Sequence, residues 1–214
     1  MTAGGPTGYA VPMKKHLLGI TLMVLATSTA WGLDAPTLTQ PDLALQTEEP
    51  VAQPFGVKGQ TRLTIGTGVA FEVEDDDDST DFNINVAWSR FLVDDIEMRL
   101  ELGGWYFDQE SDGAWGINPN FVLRWHLINK ERWTFFADAG IGVLFSTDDV
   151  PPGGTSANFT PRAGAGITHK IGARGQRAEL GVRWHHISNA RLTGDSDNPD
   201  RDGVMVYAGI SFPF

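Results

Sequence analysis

The chain has 214 residues, 27 of them acidic and 16 basic, a formal net charge of −11, and no cysteine. That length suits one ordinary domain, and the acidity argues against nucleic acid as a partner. The missing thiols exclude disulfide staples, thiolate metal sites, a cysteine nucleophile and a lipoprotein anchor.

The longest apolar run, Leu17 to Ala26, follows Lys14 and Lys15 and precedes Ala30-Trp31-Gly32. It is too short for a membrane-crossing helix, which needs ~20 apolar residues. A basic start, a short apolar stretch and small residues before a cut after Gly32 make a secretory signal over residues 1–32. Met13 stands directly before the lysines and is the expected true start. Leu33 to Gln60 is rich in Pro, Thr and Gln without sustained periodicity, and reads as a flexible periplasmic leader.

From Thr61 onward the pattern alternates with period two, its apolar members biased to one face. In RLTIGTGVAF, Leu63, Ile65, Val69 and Phe71 oppose Arg62, Thr64, Gly66 and Gly68. DFNINVAW, IEMRLELGGWY and FVLRWHL follow the same rule. WTFFADAGIGVLF sets Trp133, Phe135, Ala137, Ala139, Ile141, Val143 and Phe145 against Thr134, Asp138, Gly140 and Gly142. FTPRAGAGI, ELGVRWHHIS and VMVYAGISFPF complete eight strands over residues 61–214. Short links (Val93 to Asp95, Asn129 to Arg132, Ile171 to Gly175) alternate with long polar ones such as VEDDDDST and RLTGDSDNPDRDG. This is the layout of an all-β, eight-stranded antiparallel transmembrane β-barrel of the bacterial outer membrane.

The polar face fixes the orientation. At mid-strand it carries Arg99, Arg124, Arg162 and Arg183 together with Glu97, Glu101, Asp138 and Glu179. Such balance is what a narrow filled lumen requires, because unpaired buried charges cost several kcal/mol each. The apolar face then meets lipid, and an eight-stranded lumen filled by side chains leaves no pore.

On the seventh strand, parity sends Glu179, Gly181, Arg183 and His185 inward, and Leu180, Val182, Trp184, His186 and Ser188 outward. His185 joins the luminal charges; His186 and Ser188 share the lipid face at the outer-leaflet rim. Residues i and i+2 lie about 6.5 to 7 Å apart on one face, within reach of an imidazole and a hydroxyl. A histidine-activated serine attacks esters, and such a pair facing lipid makes sense for a substrate that is itself in the membrane. The blander reading is that His186 is an interfacial ring only. Asp75 to Asp78 resembles a calcium loop in charge alone and lacks the EF-hand spacing, so it reads as a solvated tip.

From about Trp133 to the end, through FFADAGIGVLFS, ANFTPRAGAG and above all GVRWHHISNA, the sequence resembles the lipid A 3-O-deacylases, the PagL-type outer-membrane esterases. His186, Ser188, Asn189 and Ala190 match that family's His-x-Ser-Asn-Ala signature. The resemblance implies His186 as base, Ser188 as nucleophile, Asn189 as a candidate for stabilising the oxyanion, and Phe159 as an aromatic beside the site. It implies removal of an ester-linked acyl chain from the lipid A of lipopolysaccharide, without metal or organic cofactor. The chain departs from the pattern at the third member, a Glu just after a Gly, where it has Asp202-Gly203-Val204-Met205. The aligned residue is Val204 or Met205, neither an acid. Asp202 is the substitute acid, with Asp200 a looser one. The alternative is a weak or inactive structural or interaction barrel. The acidic loops suit divalent cations that bridge to lipopolysaccharide, and a homodimer is left open.

Overall fold

The computed structural model describes residues 54–73, 79–109, 113–192, 194 and 199–214. The expected secretory signal, most of the leader and the Asp75 to Asp78 tip lie outside those residues. Nine strands among the described residues form one antiparallel sheet. They are β1 (Thr61–Glu72), β2 (Thr80–Val93), β3 (Ile96–Phe107), β4 (Ala114–Asn129), β5 (Trp133–Ser146), β6 (Ala157–Phe159), β7 (Arg162–Lys170), β8 (Arg177–Ile187) and β9 (Arg201–Pro213). Each stave pairs with its neighbour in sequence, and β1 against β9 closes the barrel. Both β6 and β7 pair with β5; they are one stave interrupted at Thr160-Pro161. The barrel is therefore eight-stranded, and the expected seventh strand is β8.

The alternation seen in the sequence becomes an inside-out protein. Ile65 and Ile84 are 58% and 69% exposed on the outer wall, whereas neighbouring Thr64 and Asn83 are 0% and 4% exposed in the lumen. A continuous apolar wall of this kind is costly in water and is what a bilayer solvates. Closure removes the open sheet edges, so the backbone of the wall pairs strand to strand instead of meeting hydrocarbon.

All eight mid-strand charges expected in the lumen are buried there. Arg124 donates to Asp138 and Glu179, both at 2.8 Å, and lies over the Phe136 ring at 3.7 Å. Arg99 reaches Glu97 at 3.2 Å, Glu101 at 3.1 Å and Glu179 at 3.3 Å. Arg183 holds Glu101 at 3.1 Å and Asp138 at 2.9 Å. Arg99, Arg124 and Arg183 are thus each shared among two or more carboxylates, the condition under which buried ions are tolerated at all. Arg62, Arg177 and Arg201 are buried as well, so the luminal charge extends beyond the expected eight. The planar guanidinium fork can serve two carboxylates at once, which an ammonium cannot do in the same geometry.

Three boundaries differ from the sequence expectation. β4 begins at Ala114, because Pro119 sits inside the strand. Pro119 pairs with Leu102 of β3, while the ladder to β5 passes from Ile117 to Asn120. A residue without an N–H masks a strand to pattern reading. β9 begins at Arg201 rather than Val204. The end of the expected leader is held: Gly59 N–H donates to Phe91 O at 2.8 Å. The Phe55 ring packs edge-on against Phe91 and His126 beneath the Arg62 and Arg177 guanidiniums, closing the short-turn end of the lumen.

Removing Arg124 takes the 2.8 Å partner from both Asp138 and Glu179 and leaves them to Arg183 at 2.9 Å and Arg99 at 3.3 Å in the buried interior. Arg124→Ala is expected to destabilise the barrel by about 3–5 kcal/mol, read as a lowered midpoint for loss of the fast-migrating folded band on heating in detergent.

Candidate active site

β8 carries the adjacent histidines to the long-loop rim, and strand alternation separates them. His185 is buried in the lumen, its ring 5.3 Å from that of Trp105. It lies in an aromatic layer beside the charge network, and none of the carboxylates of that network bonds it. Gly203, its partner in register on β9, leaves it room: a Cβ there would lie 2.6 Å from His185 Nε2.

His186 faces outward. Its Nε2 stands 2.9 Å from Ser188 Oγ, and its Nδ1 stands 3.2 Å from Asp202 Oδ1. Because Asp202 is an acceptor, the bond requires Nδ1 to carry the ring proton, which leaves the Nε2 lone pair to accept from the Ser188 hydroxyl. This is the serine–histidine–acid order of an activated nucleophile. The side chains of His186 and Asp202 are 21% and 15% exposed, sheltered by the wall yet open to it. Trp184, the next outward residue on β8, stacks its ring 6.0 Å from the imidazole.

The acid is positioned by the early start of β9. Asp202 is the cross-strand partner of His186, and its carbonyl accepts from Val73 N–H at 3.0 Å, so both neighbouring staves hold it. The two positions that the resemblance offers for the acid fall elsewhere. Val204 pairs with Trp184, and Met205 is buried in the lumen opposite Arg183. Asp200 also approaches: one ligand atom each from His186, Asp200 and Asp202 lies within 4.8 Å of the others.

Ser188 is fixed through its backbone. It exchanges bonds with Phe159, N–H to O at 3.2 Å one way and 2.8 Å the other, and His186 N–H donates to Pro161 O at 3.0 Å. The break between β6 and β7 therefore lies directly against the serine, and Phe159 flanks it, as parity expects. Asn189 is buried and its Oδ1 accepts from Arg191 N–H at 2.8 Å, which leaves the amide NH₂ as its donating end. Ala190 and Arg191 follow with φ of 54° and 63°, two consecutive left-handed residues without a glycine. Such strain persists where surrounding structure over-determines it, commonly at functional sites. Sequence reasoning did not reach the Trp184 stack or this strained turn; the tryptophan was visible by parity, but the turn carries no glycine signal.

The sequence profile of the family described as "Lipid A 3-O-deacylase (PagL)" matches residues 78–211, more than half of the chain. No curated protein matches it. Among solved structures, that of the outer membrane enzyme PagL is 22% identical, with a TM-score of 0.50 over 67% of this chain and 97% of that one. Neisserial surface protein A aligns with a TM-score of 0.57 at 10% identity, over 72% of this chain and 97% of that one. The N-terminal β-barrel domain of Pseudomonas aeruginosa OprF aligns with a TM-score of 0.51 at 14% identity, over 73% and 98%. At these identities the structural likeness establishes the outer-membrane barrel fold.

Ala190 adopts a conformation that a Cβ disfavours by roughly 1–2 kcal/mol. Ala190→Gly is expected to raise unfolding stability by up to about 1 kcal/mol, read from a shifted midpoint in a denaturant titration of the detergent-solubilised barrel.

Proposed function

Because the chain belongs to the lipid A 3-O-deacylase family, we propose that it is an outer-membrane serine esterase that removes the 3-O-linked acyl chain of lipid A. The observation that carries this reading is the line Ser188 Oγ, His186 Nε2, His186 Nδ1, Asp202 Oδ1, with contacts of 2.9 and 3.2 Å on the lipid-facing side of the rim. An ester at the headgroup boundary of the outer leaflet meets it without leaving the membrane. A secretory signal within residues 1–32 would deliver the chain to the envelope.

The chemistry runs in two halves. Ser188 Oγ attacks the ester carbonyl carbon as His186 Nε2 takes the hydroxyl proton. Asp202 holds the ring in the correct tautomer and stabilises the imidazolium. The oxyanion that forms is met by an N–H donor, for which the Asn189 amide is the candidate; such a donor contributes on the order of 10²–10³ in rate. When the intermediate collapses, the sugar oxygen leaves with the proton from His186 and the acyl chain stays on Ser188. Water then gives a proton to His186 as its oxygen bonds the acyl carbon; collapse breaks the bond to Ser188 Oγ, which takes that proton back from His186, and the fatty acid is released. Phe159 and Trp184 supply aromatic surface on either side for the acyl chain.

Ser188→Ala is expected to abolish acyl release, and Asp202→Asn to lower its rate by about 10⁴-fold, the usual cost of a wrong tautomer in a serine triad. Both are measured by mass spectrometry of lipid A incubated with the purified barrel. Release by Ser188→Ala at the wild-type rate, or none by wild type, defeats the esterase reading in favour of a non-enzymatic barrel. An unaffected Asp202→Asn leaves the esterase and removes Asp202 from the triad.

A further inference from the structure

We propose that His186, Asp200 and Asp202 form a capture site for a borderline divalent metal ion of the Zn²⁺ type, and that an ion held there switches the esterase off. The binding stands on the three side chains; the switching rests on the esterase reading. His186 Nδ1 and Asp202 Oδ1 are 3.2 Å apart. Two donors at that separation suit an ion about 2.0–2.1 Å from each, with an angle of about 100° between them. Asp200 brings a third donor, the atoms of all three residues lying within 4.8 Å of one another.

The local frame favours a cation here. Alternation along β9 turns Arg201, between the two aspartates, into the lumen, where it bonds Asp81 at 2.8 Å and Glu72 at 3.4 Å. Its charge is spent inside, and two carboxylates are left together outside beside one imidazole. The positions are held by strand pairing of Asp202 with His186. A set of one imidazole nitrogen and two carboxylate oxygens selects zinc-like ions over Mg²⁺ and Ca²⁺, which prefer oxygen alone. Three protein donors leave coordination positions for water.

Inhibition follows from the proton count. A neutral imidazole carries one N–H. With the ion on Nδ1, that proton must sit on Nε2, where it donates towards Ser188 Oγ instead of accepting from it. No proton is lost or gained overall, and the nucleophile loses its base. Asp202, drawn to the ion, no longer orients the ring.

The test uses the full barrel in detergent after chelator treatment. ZnCl₂ is titrated by calorimetry into wild type, Ser188→Ala and Asp200→Asn, with MgCl₂ and CaCl₂ as comparison salts. The folded band on gels checks each variant. Wild type and Ser188→Ala are expected to bind one Zn²⁺ alike, and Asp200→Asn about 10-fold or more weaker. Acyl release by wild type should fall with the same midpoint as the binding curve. For Asp200→Asn, normalised to its own zinc-free rate, that midpoint should move up by the same factor. Absence of stoichiometric Zn²⁺ binding to wild type, or equal affinity in Asp200→Asn, overturns the site. Binding without loss of acyl release overturns the switch. If wild type binds Zn²⁺ but releases no acid even when zinc-free, the esterase reading fails and the metal site stands.

Discussion

The rest of the structure depends on the ion network that fills the lumen. Among the described residues seven arginines are buried, and in the middle of the barrel Arg99, Arg124 and Arg183 share Glu97, Glu101, Asp138 and Glu179. A buried charge with one partner is a doubtful gain, because desolvation offsets most of the attraction. A buried charge with three partners is tolerable only if every partner keeps its place. The network therefore demands closure and a fixed register, and both are supplied by the complete ladder of antiparallel pairs. With the charges inside, the second face of every stave is left to hydrocarbon. The lipid-facing wall is a consequence of the lumen.

That same division gives the candidate site its character. Two consecutive histidines meet two solvents. His185 enters a dry aromatic layer against Trp105, and His186 meets the membrane boundary with Ser188 and Asp202. Neither Asp200, just before β9, nor Asp202 is paired with the arginine between them, since alternation commits Arg201 to the lumen. The outward side of the rim thus concentrates an imidazole, a hydroxyl and two carboxylates. The arrangement follows from parity once the lumen is fixed.

Much of this was legible in the sequence. Alternation over segments such as WTFFADAGIGVLF gave the staves, and the balance of arginines against acids gave their orientation. Parity on β8 separated the histidines, and Phe159 emerged on the outer face for the same reason. What stayed hidden has a physical cause in each case. Pro119 concealed the first turn of β4, since a residue that cannot donate reads as a break. Pro161 splits the sixth stave, and the serine locks onto the half beyond the break, a cross-strand pairing with no mark in local sequence. Phe55 acts at long range, under arginines from β1 and β8, and nothing in a Pro-rich leader signals it. The reach of β9 back to Arg201 was masked because Asp-Asn-Pro-Asp-Arg-Asp-Gly has the composition of a loop.

That last boundary puts a carboxylate, Asp202, directly opposite His186. The resemblance puts the family's Glu at Val204 or Met205. Met205 points into the lumen, which leaves Val204 as the outward position, and Val204 is the partner of Trp184, diagonal to His186. Directly opposed residues on antiparallel strands have Cβ atoms about 4.5–5.5 Å apart, and diagonal ones about 7–8 Å. A carboxylate at the diagonal needs the longer arm of Glu to reach the ring. At the opposed position the gap is shorter by about 2–3 Å, more than one methylene spans, and the shorter arm of Asp suffices. On the esterase reading, an acid two residues nearer the rim and one CH₂ shorter serves the same imidazole, and Asp202 stands 3.2 Å from His186.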